Sequence, residues 1–75
     1  MKYEKAIDFL FEKKYKEAAI EISKSVNCNT QEQKEKVISR IEKLMREDAK
    51  NRPATERVID FLVRSINEDI ERNRL

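Results

Sequence analysis

The side chains that could carry chemistry in this 75-residue chain are 17 Lys and Arg, 15 Asp and Glu and a single Cys. The chain has no histidine, so a serine or cysteine nucleophile has no imidazole to activate it. It has no glycine with which to build a phosphate-binding loop, and one cysteine cannot supply the Cys/His cluster of a zinc site. The sequence therefore predicts a protein that is not an enzyme and that has no catalytic residues, no cofactor and no metal.

The carboxylates and the thiol do not change that prediction. Acidic residues at 47–48 and 68–71 flank apolar stripes, whereas a carboxylate metal site in a helical bundle needs acids directed into the core together with a Glu-x-x-His element. Cys28 lies in the Asn27-Cys28-Asn29 connection and has no second cysteine to pair with. It is typical of a packed or solvent-facing thiol in a reducing cytoplasm, and the predicted location is cytoplasmic.

Basic residues recur on one face of the third predicted helix, at Lys36, Arg40, Lys43 and Lys50. A second, shorter cluster consists of Lys13, Lys14 and Lys16. Such faces could contact phosphates, which would give salt-dependent and largely non-sequence-specific nucleic-acid binding. The competing interpretation is a solvated face, because Glu47 interrupts the first row. A base-reading helix-turn-helix would instead display residues at the start of the last helix, namely Thr55, Arg57, Asp60 and Arg64, with Glu56 and Asp60 unfavourably close to phosphates.

The last helix carries more apolar residues than one amphipathic face needs. Its candidate partner-binding residues are Val58, Ile59, Phe61, Leu62, Val63 and Ile66. In so small a chain, a face this wide must lie at the centre of a bundle or be covered by another chain. The leading hypothesis is a non-catalytic protein-interaction module, a small accessory or adaptor subunit of a larger intracellular complex, for which nucleic-acid processing is one open setting. It would dock this helix on a protein partner or on its own copy in a homodimer. The other interpretation is the core helix of a monomer.

The elements that carry these residues are predicted to be helices throughout. Charged residues make up 43% of the chain, mostly strong helix formers, and without glycine tight hairpins between strands are disfavoured. The prediction is an all-α protein with one domain over 1–75, a compact three- to four-helix bundle. The helices span about 2–13, 15–26, 31–50 and 53–72, with the first two forming either a hairpin or one long helix.

Local signals indicate where these helices begin and end. Asn27 suits the left-handed conformation of a helix stop. Thr30 and Gln33 have the spacing of a capping box, in which each side chain bonds the other residue's backbone N–H. Pro53 suits the first position of the last helix.

One tetrapeptide, Ile-Asp-Phe-Leu, occurs at residues 7–10 and again at residues 59–62. Because the similarity stops there, a duplicated domain is not indicated. The repeat favours two helices that meet the same packing need, with Phe and Leu of both copies in a common core. The other interpretation is pseudo-symmetric packing of the first and last helices.

The first third of the chain resembles a tetratricopeptide helical hairpin at its small, aromatic and large apolar positions, here Ala6, Phe9, Tyr15, Ala18 and Ile22. The segment FEKKYKEA is similar to the turn between that motif's two helices, with Lys13 in place of the usual glycine. No second copy follows at a 34-residue period. The resemblance implies a helical hairpin at the N-terminus.

Targeting and membrane signals are absent from this sequence. No apolar run approaches the roughly 20 residues of a membrane span, and the first residues lack the apolar segment of a signal peptide. These features predict a soluble intracellular protein that does not bind membranes. The composition, rich in Lys, Glu and Ile, leans toward a thermophile, where ion-pair networks gain value.

Overall fold

The computed structural model describes residues 3–48 and 55–75 of the chain. Four helices lie in these ranges: α1 (Glu4–Phe11), α2 (Tyr15–Ser23), α3 (Gln31–Asp48) and α4 (Glu56–Glu71). The predicted all-α bundle is confirmed, and the first two helices form a hairpin instead of one long helix. The predicted ends at residues 2, 50 and 53 lie outside the described residues.

The turn between α1 and α2 takes a left-handed backbone at Lys13, where φ is 61°. The Lys13 N–H donates to the Leu10 carbonyl at 3.1 Å, and the Lys14 N–H donates to the Phe9 carbonyl at 2.9 Å. This pair of bonds is the Schellman motif, which satisfies carbonyls at the end of a helix and usually has glycine at the left-handed position. The helical hairpin is therefore observed, while the tetratricopeptide resemblance itself stays a prediction.

The prediction that a left-handed Asn27 ends the second helix is wrong. Among the described residues the positive-φ positions are Lys13 and Asn73, so Asn27 is not left-handed. The end of α2 instead tightens into three-residue turns, with N–H groups donating three positions back at Lys24, Ser25 and Val26. The Asn27 N–H then donates to Asn67 Oδ1 of α4 at 2.9 Å, so a tertiary contact supplies the bond.

The starts of α3 and α4 are both capped by threonine. The Gln33 N–H donates to Thr30 Oγ1 at 3.1 Å, which confirms that half of the predicted capping box. The other half is displaced by one residue, because Gln33 Oε1 accepts from the Asn29 N–H at 2.7 Å instead of from Thr30. In α4 the Val58 N–H donates to Thr55 Oγ1 at 3.3 Å.

The core is organised around α2, although α4 has the larger apolar side chains. Ala18, Ala19 and Ile22 of α2 are completely buried. Small residues allow neighbouring backbones to approach, and α2 packs closely on α1 and α3 while its contact with α4 is smaller. The core cluster contains Tyr3, Ala6, Ala19, Ile22, Val26, Val37, Ile41, Met45, Ile59, Val63, Ile66 and Ile70. α2, which contributes two buried alanines, is therefore the helix on which α1 and α3 pack.

Candidate interaction surface on the last helix

The inner face of α4 is used by the protomer itself. Ile59 and Ile66 have no exposed area, and Val63 is 5% exposed. Together with Ile70 they follow a spacing of four, three and four residues, which is one stripe of a helix. Three of the six predicted partner-binding residues, Ile59, Val63 and Ile66, thus lie in the core and are not available on the surface of this fold.

The outer face of α4 presents a phenylalanine to solvent. Phe61 is 75% exposed, and Arg57, Arg64 and Glu68 are exposed as well. These four residues, which we call the outer stripe, also follow a spacing of four, three and four. At about 100° per residue the outer stripe lies roughly opposite the buried one. Phe61 therefore points directly away from the core.

Phe61 is connected to the core by two half-buried apolar residues, Val58 and Leu62. Val58 precedes Phe61 by three residues and Leu62 by four, and residues at these spacings are neighbours on a helix surface. We call Val58, Phe61 and Leu62 the Phe61 patch. It contains the three predicted partner-binding residues that keep some exposed surface.

Polar contacts on both edges of α4 fix its rotation. On one edge, the Tyr3 hydroxyl donates to Asp60 Oδ1 at 3.2 Å, and Asn67 accepts from the Asn27 N–H. On the other edge, Arg40 Nη1 of α3 donates to Asp69 Oδ2 at 2.8 Å. Turning Phe61 toward the core would break bonds on both edges, so its exposure is a property of the assembled bundle.

The repeated Ile-Asp-Phe-Leu tetrapeptide has two different environments. Phe9 and Ile7 are half-buried in α1, whereas Phe61 is 75% exposed and Ile59 is completely buried in α4. The prediction that both phenylalanines share a core is wrong for Phe61. The neighbouring helices decide which side of each tetrapeptide is covered, and they differ at the two positions.

Several basic residues proposed for nucleic-acid contact are engaged within the protomer. Arg40 pairs with Asp69, Lys36 Nζ lies 3.8 Å from Glu32 Oε1, and Lys14 Nζ lies 3.3 Å from Glu12 Oε2. The exposed members of the set are Lys13, Lys14, Lys16, Lys36, Arg40 and Lys43, and Lys50 lies outside the described residues. Because Arg40 links α3 to α4, the basic row on α3 is interrupted at its centre.

The structure brings one residue of the α3 row, Lys43, to the end of the bundle that holds the α1–α2 turn. The Arg46 guanidinium lies over the ring of Tyr15, 5.1 Å from its centroid, and it also contacts Glu42 Oε2 at 2.9 Å. This contact places the end of α3, with Lys43, beside the start of α2. Arg46 is not among the basic residues predicted from the sequence, because a spacing of four residues from Glu42 is typical of an ion pair on a helix surface.

Two of the four side chains proposed for base reading at the start of α4, those of Thr55 and Asp60, make hydrogen bonds within the protomer. Thr55 accepts from the Val58 N–H as the helix cap. Asp60 accepts from Tyr3 and lies 3.3 Å from Arg64 Nε. Arg57 makes no such contact among the described residues, and the Arg64 side chain is 79% exposed, so the helix-turn-helix interpretation stays a prediction.

Cys28 is half-buried beside the core. Burial disfavours the thiolate and raises the pKa of the Cys28 thiol, while the positive charge of Lys34 opposes part of that rise. The group therefore stays protonated at neutral pH, which is the poorly reactive state of a thiol.

Neither a membrane segment nor a metal cluster is found in the part of the chain that the structure describes. None of its helices has the length and apolarity to cross a bilayer. No three Asp, Glu, His or Cys residues in 3–48 and 55–75 converge as metal ligands would. Comparison with protein-family models, with curated proteins and with solved structures finds no match to this chain.

Proposed function

We propose that this protein is a non-catalytic protein-interaction module, a small accessory subunit that docks the outer stripe of α4 on a partner within a larger intracellular assembly. The observation that carries the proposal is the 75% exposure of Phe61, which lies within α4 on the side opposite the core. In that position the side chain contributes little to the stability of the protomer.

The chemistry of the outer stripe suits a protein partner. Covering an exposed phenylalanine contributes about 1.5–3 kcal/mol, and aromatic residues and arginine are the side chains most often responsible for binding energy at interfaces. Arg57 precedes Phe61 by four residues and Arg64 follows it by three, so an aromatic anchor lies between two guanidinium groups. Val58 and Leu62 extend the apolar contact toward the core.

Replacing Phe61 with alanine is expected to abolish partner capture without unfolding the protein. Loss of a central aromatic anchor typically costs at least about 2 kcal/mol, which is a loss of affinity of more than tenfold. Affinity capture from an extract of the source cells, quantified by mass spectrometry, would compare the wild-type chain with Phe61→Ala. A partner enriched by the wild type should be depleted at least tenfold with the variant.

Phe11 provides the matched control for that experiment. It is 79% exposed and has the same side chain, but it lies at the end of α1. Phe11→Ala should retain the partner that Phe61→Ala loses. Equal retention by both variants, with both folded, would contradict a docking role for α4.

Direct nucleic-acid binding is the second candidate, and the contact between Arg46 and Tyr15 favours it. That contact brings Lys13 and Lys14 of the α1–α2 turn and Lys16 of α2 to the same end of the bundle as Lys43 of α3. Phe11 is exposed next to this turn. Cations beside an exposed aromatic ring are the features with which proteins bind single strands, by phosphate contact and base stacking.

In a fluorescence titration with single-stranded DNA, the affinity is expected to fall as salt rises. Each phosphate contact contributes about 0.7 to the slope of log K against log salt concentration, so the double change Lys13→Gln and Lys16→Gln should reduce the slope by about 1.4. The control changes Lys5 and Lys34 to Gln, both exposed elsewhere on the bundle. Absence of binding at low salt, or equal effects of both pairs, would eliminate this candidate.

A further inference from the structure

We infer that the partner of the outer stripe is a second copy of this chain, with the two α4 helices packed antiparallel across a two-fold axis. The inference rests on the proposed function, because it names the partner of the same surface. It follows from the order of charges and of the aromatic residue along the outer stripe.

The outer stripe is complementary to itself when it is reversed. In a two-fold interface, residue i of one copy meets residue j of the other, and residue j meets residue i. An axis midway between Phe61 and Arg64 places each Phe61 opposite Arg64 of the second copy. The same axis lies midway between Arg57 and Glu68, so each Arg57 meets Glu68 of the second copy. Every member of the stripe thereby has a favourable counterpart.

The protomer already holds Arg64 in a suitable position. Its Nε lies 3.3 Å from Asp60 Oδ2, and Asp60 also accepts from the Tyr3 hydroxyl. A guanidinium can retain a carboxylate at its edge while its flat face stacks on an aromatic ring. The Arg64 side chain is 79% exposed, which leaves that face accessible to Phe61 of the second copy.

The antiparallel arrangement also explains why the stripe has one aromatic residue and three charged ones. Two copies contribute two phenylalanines to the interface, which then has two cation–π contacts and two ion pairs. One helix from each copy is enough to form it. An area this small belongs to the weak, transient class of interfaces. A dimer that forms only in the high-micromolar range is therefore expected.

A charge-exchange experiment tests the register directly. In sedimentation equilibrium, the wild-type mass should rise toward that of a dimer with concentration. Arg57→Glu and Glu68→Arg should each weaken the dimer by roughly tenfold, because each sets like charges against each other twice. An equimolar mixture of the two variants should dimerise again, since the introduced carboxylate of one then faces the introduced guanidinium of the other.

Two alanine variants test the aromatic contact in the same measurement. Phe61→Ala should abolish dimerisation, whereas Phe11→Ala should leave it unchanged. A chain that stays monomeric at all concentrations, a mixture that does not recover, or equal loss with both alanine variants would overturn the inference. If the chain is monomeric but Phe61 is still needed to capture another protein, the second copy is excluded and the proposed function stands. If capture is also independent of Phe61, both fail.

Discussion

Replacing Ile66 with alanine is expected to lower the free energy of unfolding by about 2–5 kcal/mol. Ile66 is completely buried, so the shorter side chain leaves a cavity among the core residues of the other helices. A domain of this size has only about 3–5 kcal/mol of stability from a single core, so the variant should lose a large part of its stability. Urea unfolding would measure this difference in the free energy of unfolding. The transition can be followed by circular dichroism at about 222 nm, where the signal reports helix content.

The same helix supplies the control for this substitution. Phe61→Ala removes a larger side chain from the outer stripe, yet its effect on stability should stay within about 0.5 kcal/mol because Phe61 is exposed. The two variants therefore separate core from surface on α4. If Ile66→Ala were as stable as Phe61→Ala, the inner face would not be the core.

Replacing Lys13 with glycine is expected to stabilise the protein by about 1 kcal/mol. Lys13 has a φ of 61°, a conformation that costs a residue with a side chain about 1–2 kcal/mol and that glycine adopts without penalty. Part of the gain is offset by the greater freedom of glycine in the unfolded chain. For a domain of this length the melting temperature should rise by about 4–8 °C, measured by thermal unfolding.

Two further glycine substitutions are the controls. Asn73 has a φ of 54° at the end of α4, and because asparagine tolerates this conformation, Asn73→Gly should gain less than Lys13→Gly. Lys16 lies within α2, where glycine should destabilise by up to about 1 kcal/mol. A uniform effect of all three changes would show that backbone conformation at Lys13 is not the cause.

Helix content and capping could be predicted from the sequence because they depend on neighbours within one turn. Thr30 and Gln33 are three residues apart, and the bond from the Gln33 N–H to Thr30 Oγ1 forms where expected. The stop at Asn27 failed for the opposite reason, since its N–H is bonded by Asn67, forty residues away. The preference of asparagine for the left-handed conformation is a local property, so it cannot predict a hydrogen-bond acceptor that is distant in the sequence.

Three of the six predicted partner-binding residues lie on the buried face of α4, whereas the proposed docking surface lies on its outer face. The prediction grouped Ile59, Val63 and Ile66 with Phe61 as partner-binding residues because all four are apolar residues of one helix. Apolar character does not say how much of that helix the neighbouring helices cover. The contacts of Asp60, Asn67 and Asp69 fix the rotation of α4 and decide that the isoleucines are covered and Phe61 is not.

The sequence by itself determined that this chain is all-helical, that it lacks histidine and glycine, and that α4 has more apolar side chains than one face holds. The tertiary structure alone decided that α2 is the central helix, that Arg46 lies on Tyr15, and that Phe61 faces outward. The physical reason is that helix formation depends on residues three and four positions apart, whereas burial depends on which helices approach one another. Small side chains at Ala18 and Ala19 permit the close approach of α2 to α1 and α3.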